Sequence, residues 1–145
     1  MKTGKEGIKL ITHFEGCQLT AYQCPAGVWT IGFGNTYYED STKVKKGDKI
    51  TQDRANKLFA NLLPKYEDIV DTKIKIDLTQ NQFDALVSYV WNTGGSDTLY
   101  KLINSKASEV SIRTWFTTKY ITGDGKVLAG LVKRRQAEAD LFFKK

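Results

Sequence analysis

Across residues 3–14 the apolar positions Ile8, Leu10, Ile11 and Phe14 fall largely on one helical face, with Thr3 available as an N-cap. Gly16 follows Glu15, and a glycine there supplies the left-handed residue that closes a helix, so the pattern predicts a helix ending on a carboxylate. Residues 19–24 and 28–33 are short, rich in β-branched and aromatic side chains, and separated by Pro25, Ala26 and Gly27; they predict a β-hairpin. Beyond Asp48 the period becomes helical. Thr51 is an N-cap for a stripe of Ala55, Leu58, Phe59, Leu62 and Leu63 that continues through Tyr66, Ile69 and Val70, with Pro64 expected to end or kink it. Thr79 caps a further helix whose Phe83, Leu86, Val87, Val90 and Trp91 face inward, and Gly94 and Gly95 stop it. Shorter helices are expected over 99–104 and 109–117, a turn at Gly123, Asp124 and Gly125, and a last helix over 128–143. The sequence therefore predicts an α+β chain, one domain over residues 1–145. A small hairpin lobe, about 16–50, joins a larger helical lobe, about 51–145 plus the N-terminal helix, with a ligand cleft between them.

Composition narrows the chemistry. With 145 residues, 41% of them hydrophobic, the chain is long enough for its own core, and 26% charged residues fit an ordinary globule. No run approaches the roughly 20 apolar residues that cross a bilayer, and charges interrupt the start of the chain, so neither a signal segment nor membrane insertion is expected. Two cysteines exclude a disulfide framework, and a single histidine leaves no zinc set, so no metal and no cofactor is expected. The net charge of +6 attracts a polyanion without choosing among nucleic acid, an anionic membrane and an acidic wall polymer. Residues 126–145 carry much of it in Lys126, Lys133, Arg134, Arg135, Lys144 and Lys145, against Glu138 and Asp140.

Glu15, Cys24 and Thr30 bring three functional groups to the predicted helix end and hairpin. Taken singly they read as a surface carboxylate, a small buried apolar residue and a strand former. The helix dipole disfavours a negative charge at Glu15, and the apolar neighbour Phe14 works in the same direction. The three also stand in a larger frame, EGCQLTAYQCPAGVWTIGFGNT over 15–36. LTQNQFDALVSYVWNTG follows over 78–94 and GKVLAGLVKRRQAEADLF over 125–142. These three stretches, in this order, resemble the phage-type lysozymes, glycoside hydrolase family 24, over nearly the whole chain.

The resemblance implies a lysozyme-like fold and cleavage of β-1,4 glycan bonds in peptidoglycan. Glu15 falls at the general acid, the group that must still hold a proton when the glycosidic oxygen leaves. Thr30 falls at the hydroxyl that helps hold the attacking water. Cys24 stands where many members carry Asp and some carry Cys. A thiol of ordinary pKa, about 8.5, is only a few per cent thiolate near neutrality, so two roles stay open for it. It activates water, giving inversion, or attacks the sugar, giving retention; Thr30 favours the first. Asn35 occupies a position where the family usually has His. Trp91 and Asn92 fall where the family lines its cleft, although Trp91 continues the core stripe equally well. Arg134 aligns with the arginine that pairs with the catalytic acid, with Arg135 adjacent to it. Tyr22 and a buried Cys17 read as packing, a Cys17–Cys24 disulfide is disfavoured by their placement, and His13 reads as helix surface.

The resemblance further implies an endolysin that acts as a monomer on bacterial peptidoglycan and collects in the host cytoplasm until a holin opens the route to the wall. A non-catalytic peptidoglycan-binding protein on the same fold is the rival of a different class. Nucleic-acid binding lacks a helix-turn-helix or stacking sheet. A Cys-His amidase has the wrong chain order, and a transglycosylase would release anhydro sugars.

Overall fold

The computed structural model describes residues 1–123 and 125–145. Six helices and two small antiparallel sheets are present among them: α1 (Lys5–Glu15), β1 (Gln18–Gln23), β2 (Trp29–Gly32), α2 (Gln52–Lys73), α3 (Gln80–Thr93), α4 (Asp97–Asn104), α5 (Glu109–Thr118), β3 (Thr122–Gly123), β4 (Lys126–Val127) and α6 (Ala129–Phe142). The chain divides into two compact units, Glu15–Lys65 and Met1–Phe14 with Tyr66–Lys145. The hairpin unit thus keeps the first turns of α2, because Ala55, Leu58, Phe59 and Leu63 are buried there along with Ile31, Phe33 and Val44. Phe33 and Phe59 meet edge to face at 5.4 Å.

In this unit β1 and β2 pair with Tyr22 opposite Thr30 and Gln23 opposite Trp29. The turn closes with Gly27 N–H donating to the Cys24 carbonyl at 2.8 Å and Cys24 N–H to the Val28 carbonyl at 3.0 Å. Gly27 takes φ 82°, a left-handed conformation that favours glycine. Residues 48–50 extend the pairing: Ala21 N–H donates to the Asp48 carbonyl and Ile50 N–H to the Leu19 carbonyl, each at 2.8 Å. Pro64 does not end α2, which runs on to Lys73.

In the other unit α3 packs on α6, α6 on α5, and α5 on α4. Residues 83–90 of α3 are all buried, so this helix is core on every side. Its ends match the sequence reading. Thr79 and Gln82 form a reciprocal capping box, and Gly94 adopts φ 84° while its N–H donates to the Val90 carbonyl. Thr79→Ala is expected to lower the unfolding free energy by about 1 kcal/mol, read by urea denaturation; an unchanged midpoint would show that the box adds nothing. The start of α1 is held from outside itself. The buried Asp84 carboxylate of α3 accepts from Gly4 N–H at 2.9 Å and Gly7 N–H at 3.2 Å, supplying acceptors that the helix lacks at its N-terminus. Thr3 lies outside α1 and donates from N–H and hydroxyl to Glu67. On α1 Ile11 is buried as expected, whereas Ile8 is exposed, being on the edge of the apolar stripe. The turn expected at 123–125 includes Asp124, which lies outside the described residues; the flanking β3 and β4 pair Thr122 with Val127 and Gly123 with Lys126.

Candidate active site

Glu15 is the last residue of α1, and Gly16 at φ 67° turns the chain out of the helix and into β1. A methyl group placed on Gly34 would come within 3.2 Å of the Glu15 Oε1, so the glycine at this tight turn leaves room for the carboxylate. The turn itself is fixed by a reciprocal backbone pair between Ile31 and Asn35, at 2.8 and 2.9 Å.

Strand geometry gathers the next groups. Directly paired residues share a face of the sheet, and residues two apart on a strand do as well. Tyr22 and its partner Thr30 therefore present to one face, and Cys24 follows directly after the end of β1, in the turn. The Thr30 side chain is buried and its hydroxyl donates to the Val28 carbonyl at 3.0 Å. Cys24 is half-buried. Hydrogen bonding from the backbone at Val28 and Ala26 holds its thiol below the ordinary cysteine range, desolvation opposes this, and the Thr30 hydroxyl adds to the lowering. Tyr22 is raised above the ordinary phenol range by burial first, then by the charges of Glu15 and Cys24. It therefore lies within electrostatic range of both, and stays a protonated donor at neutral pH.

Cys17 is half-buried rather than buried, and its sulfur accepts from the Gln52 amide at 3.6 Å; neither cysteine forms a disulfide. Asn35 is buried, with no hydrogen-bond partner for its Oδ1 among the described residues. His13 is exposed, edge-on to Phe14 at 4.9 Å.

The remaining predicted residues belong to the helical unit. Trp91 is half-buried and packs at 4.9 Å on Tyr66, so it is neither wholly core nor wholly exposed. Asn92 is exposed, and its amide oxygen accepts from Arg135. Arg134 is 3% exposed, donates to Glu138 at 3.3 Å and to the Ser88 carbonyl at 3.2 Å, and stands over the Phe14 ring at 5.9 Å. Arg135 is buried as well, 3.1 Å from the other Glu138 oxygen. Burial pushes the Glu138 carboxyl up, while Arg135, Arg134 and the Ser88 hydroxyl work against it.

Sequence reasoning missed two participants. Tyr22 read as packing, although it stands only two residues before Cys24, close enough in the chain for their charges to interact. Glu138 read as one acid in a charged run, although it stands four residues after Arg134 and three after Arg135 on a helix, the spacings at which side chains meet.

Comparison with known proteins agrees with this architecture. The family model described as phage lysozyme matches residues 12–138. The endolysin of Acyrthosiphon pisum secondary endosymbiont phage 1 is 38% identical, with 98% of each chain covered. The endolysin of Bacillus phage B103 is 36% identical over 98% of this chain, which spans only 54% of that longer protein. Among solved structures, the endolysin from Escherichia coli O157:H7 phage FAHEc1 superposes with a TM-score of 0.87 at 33% identity, covering 99% of this chain and 94% of its own. The muramidase domain of SpmX from Asticaccaulis excentricus gives 0.85 at 30% identity, with 99% of each covered. The chain belongs to the phage lysozyme family of peptidoglycan-degrading muramidases.

Proposed function

We propose that this lysozyme hydrolyses the β-1,4 bond between N-acetylmuramic acid and N-acetylglucosamine, with Glu15 as general acid and with Cys24 and Thr30 handling the attacking water. The observation that carries the reading is the placement of Cys24 directly after β1, where turn backbone groups and the Thr30 hydroxyl lower its thiol and where Tyr22 lies in electrostatic range of both Cys24 and Glu15. Glu15 gives its proton to the glycosidic oxygen as the C–O bond breaks. The Cys24 thiolate takes a proton from a water that Thr30 helps hold, and that water adds to the anomeric carbon as its positive charge develops. Protons balance: one leaves Glu15 for the leaving sugar, one passes from water to Cys24, and the bond gains one water. Water attack from the face opposite the leaving group inverts the anomeric centre.

Trp91 offers a ring for stacking on a sugar and Asn92 an amide for its polar groups, while Arg134, so deeply covered, serves as a positioning residue. Both compact units act as a single domain. The protein works as a monomer on the wall, without nucleic acid or membrane insertion, and reaches the wall from the host cytoplasm through a holin. No helix among the described residues is long and apolar enough to cross a membrane.

Alkylation of Cys24 in a Cys17→Ser background tests the water-activating role. Clearing of permeabilised Gram-negative cells should stop on alkylation, and Cys24→Asp should retain it. An unperturbed Asp ionises at about pH 4 and an unperturbed thiol at about pH 8.5, so the acid limb of the Cys24→Asp activity profile should move to lower pH. Undiminished clearing by the alkylated enzyme would refute the role. Mass spectrometry of the released fragments checks the bond: muramic-acid reducing ends are expected, and anhydro sugars or free peptides would contradict it.

A further inference from the structure

The hairpin unit holds a pocket of about 340 Å³, a volume that suits a small molecule. Leu58, Asn61 and Leu62 form one wall, standing three and four residues apart on α2 and so sharing a helix face; Asn35, Tyr37 and Tyr38, beyond β2, form the other. Glu15, Cys24 and Thr30 do not line it. Asn35 is 4% exposed, and its Oδ1 has no hydrogen-bond partner among the described residues. A Cβ on Gly32 would stand 3.3 Å from that oxygen, so a glycine, at φ 65°, backs the amide where any side chain would press on it. Rotation about the last torsion of Asn35 exchanges the two ends of its carboxamide, so the group offers either an acceptor or a donor. Leaving a buried amide unpaired is costly, and native folds seldom do it without a ligand or an ordered water.

The other lining residues narrow the ligand. Glu39, the one carboxylate among them, is bridged to Arg54 at 2.7 Å, so the pocket carries no uncompensated charge and suits a neutral group. Tyr38 is already engaged: its hydroxyl donates to Asp48 at 2.8 Å, and the Arg54 guanidinium lies over its ring at 4.6 Å. Tyr37 is 51% exposed, which leaves ring surface free for stacking. Asn35 and Asn61 contribute two carboxamides, and Leu58 and Leu62 an apolar patch on the same helix face as Asn61. The neutral group that answers a carboxamide with its own N–H and C=O, and ends in a methyl for the leucines, is an acetamide. An aromatic ring beside it suits the apolar face of the sugar that bears such a group.

We propose that this pocket is a non-catalytic binding site for an N-acetylhexosamine of a glycan strand, with Asn35 and Asn61 pairing with its acetamido group, Leu58 and Leu62 against the methyl, and Tyr37 against the sugar ring. A second hold on the strand keeps the enzyme on the wall between cleavages. The site rests on the family's peptidoglycan substrate and not on the roles of Glu15, Cys24 and Thr30.

The test uses the full ¹⁵N-labelled chain, followed at the side-chain amide resonances of Asn35 and Asn61. The probe is diacetylchitobiose, and the control is cellobiose, which carries hydroxyls in place of the acetamido groups. The chitobiose should move both resonances saturably, and cellobiose should not. Asn61→Ala, read at Asn35, should weaken the affinity about fivefold, the effect of one neutral hydrogen bond, and Tyr37→Ala should weaken it independently. Both residues are exposed, so neither substitution opens the core. Saturation that neither substitution changes places the sugar elsewhere and overturns the proposal. An equal response to cellobiose overturns it too, because the acetamido group is then not what is recognised, as does the lack of any saturable shift, which leaves the pocket to water. Binding is read without turnover, so its failure leaves the cleavage reading standing, and full clearing by Glu15→Gln would leave this site standing.

Discussion

Glu15→Gln is expected to lower wall-clearing activity by about 10²–10⁴-fold, the range a positioned proton donor contributes. Glutamine keeps the size and reach of the side chain while removing its charge and its transferable proton. Glu15 is half-buried at the end of α1, and the Gly34 backbone beside it leaves space for an amide as readily as for a carboxylate. The loss should lie in kcat, because the proton moves only as the bond breaks. Activity within tenfold of the parent would remove Glu15 from the reaction. A large loss accompanied by a lower urea midpoint would instead make it a structural residue.

Glu138→Gln should have the largest effect on stability, about 3–5 kcal/mol, read from urea denaturation. Glu138, Arg134 and Arg135 are all buried, and the carboxylate meets Arg134 at 3.3 Å, Arg135 at 3.1 Å and the Ser88 hydroxyl at 2.6 Å. Replacing the carboxylate by an amide removes the charge that meets both buried guanidiniums here, and breaking a buried ion pair by removing one partner costs far more than losing a surface pair. Ser88→Ala removes a single charge-assisted hydrogen bond from the same carboxylate and should cost less, about 1.5–3 kcal/mol. The order of the two losses is the informative result. If Glu138→Gln costs under about 1 kcal/mol, the cluster is not what joins α6 to α3, and apolar contacts such as those of Phe83 and Leu141 carry that interface.

Much of the fold is legible along the chain because its signals are local. A helical period of apolar residues, a Thr79 cap with Gln82 three residues on, and a glycine required at φ 84° at Gly94 each act within one or two turns. The hairpin is fixed likewise by the turn at residues 25–27 and by the strand register, which pairs Tyr22 with Thr30. The family frame brought Glu15, Cys24 and Thr30 forward together, where each alone would have passed as ordinary. Pro64 shows the limit of local reasoning: a residue that disfavours a helix interior sits inside α2, where the packing of neighbouring Leu63 and Val70 outweighs one missing hydrogen bond.

The sequence by itself determined which segments would be helix or hairpin, where most of them would end, and the chemical types at the candidate active site. Tertiary structure decided the partners. Asp84 accepts from Gly4, 80 residues earlier in the chain and just before α1, and Ser88 reaches Glu138 across 50 residues. The shift of Cys24 toward thiolate comes from backbone groups oriented only once the hairpin has closed. The physical reason is the range of the forces: torsional preference and capping are settled between near neighbours, whereas the environment of a charge is set by whatever packing brings against it.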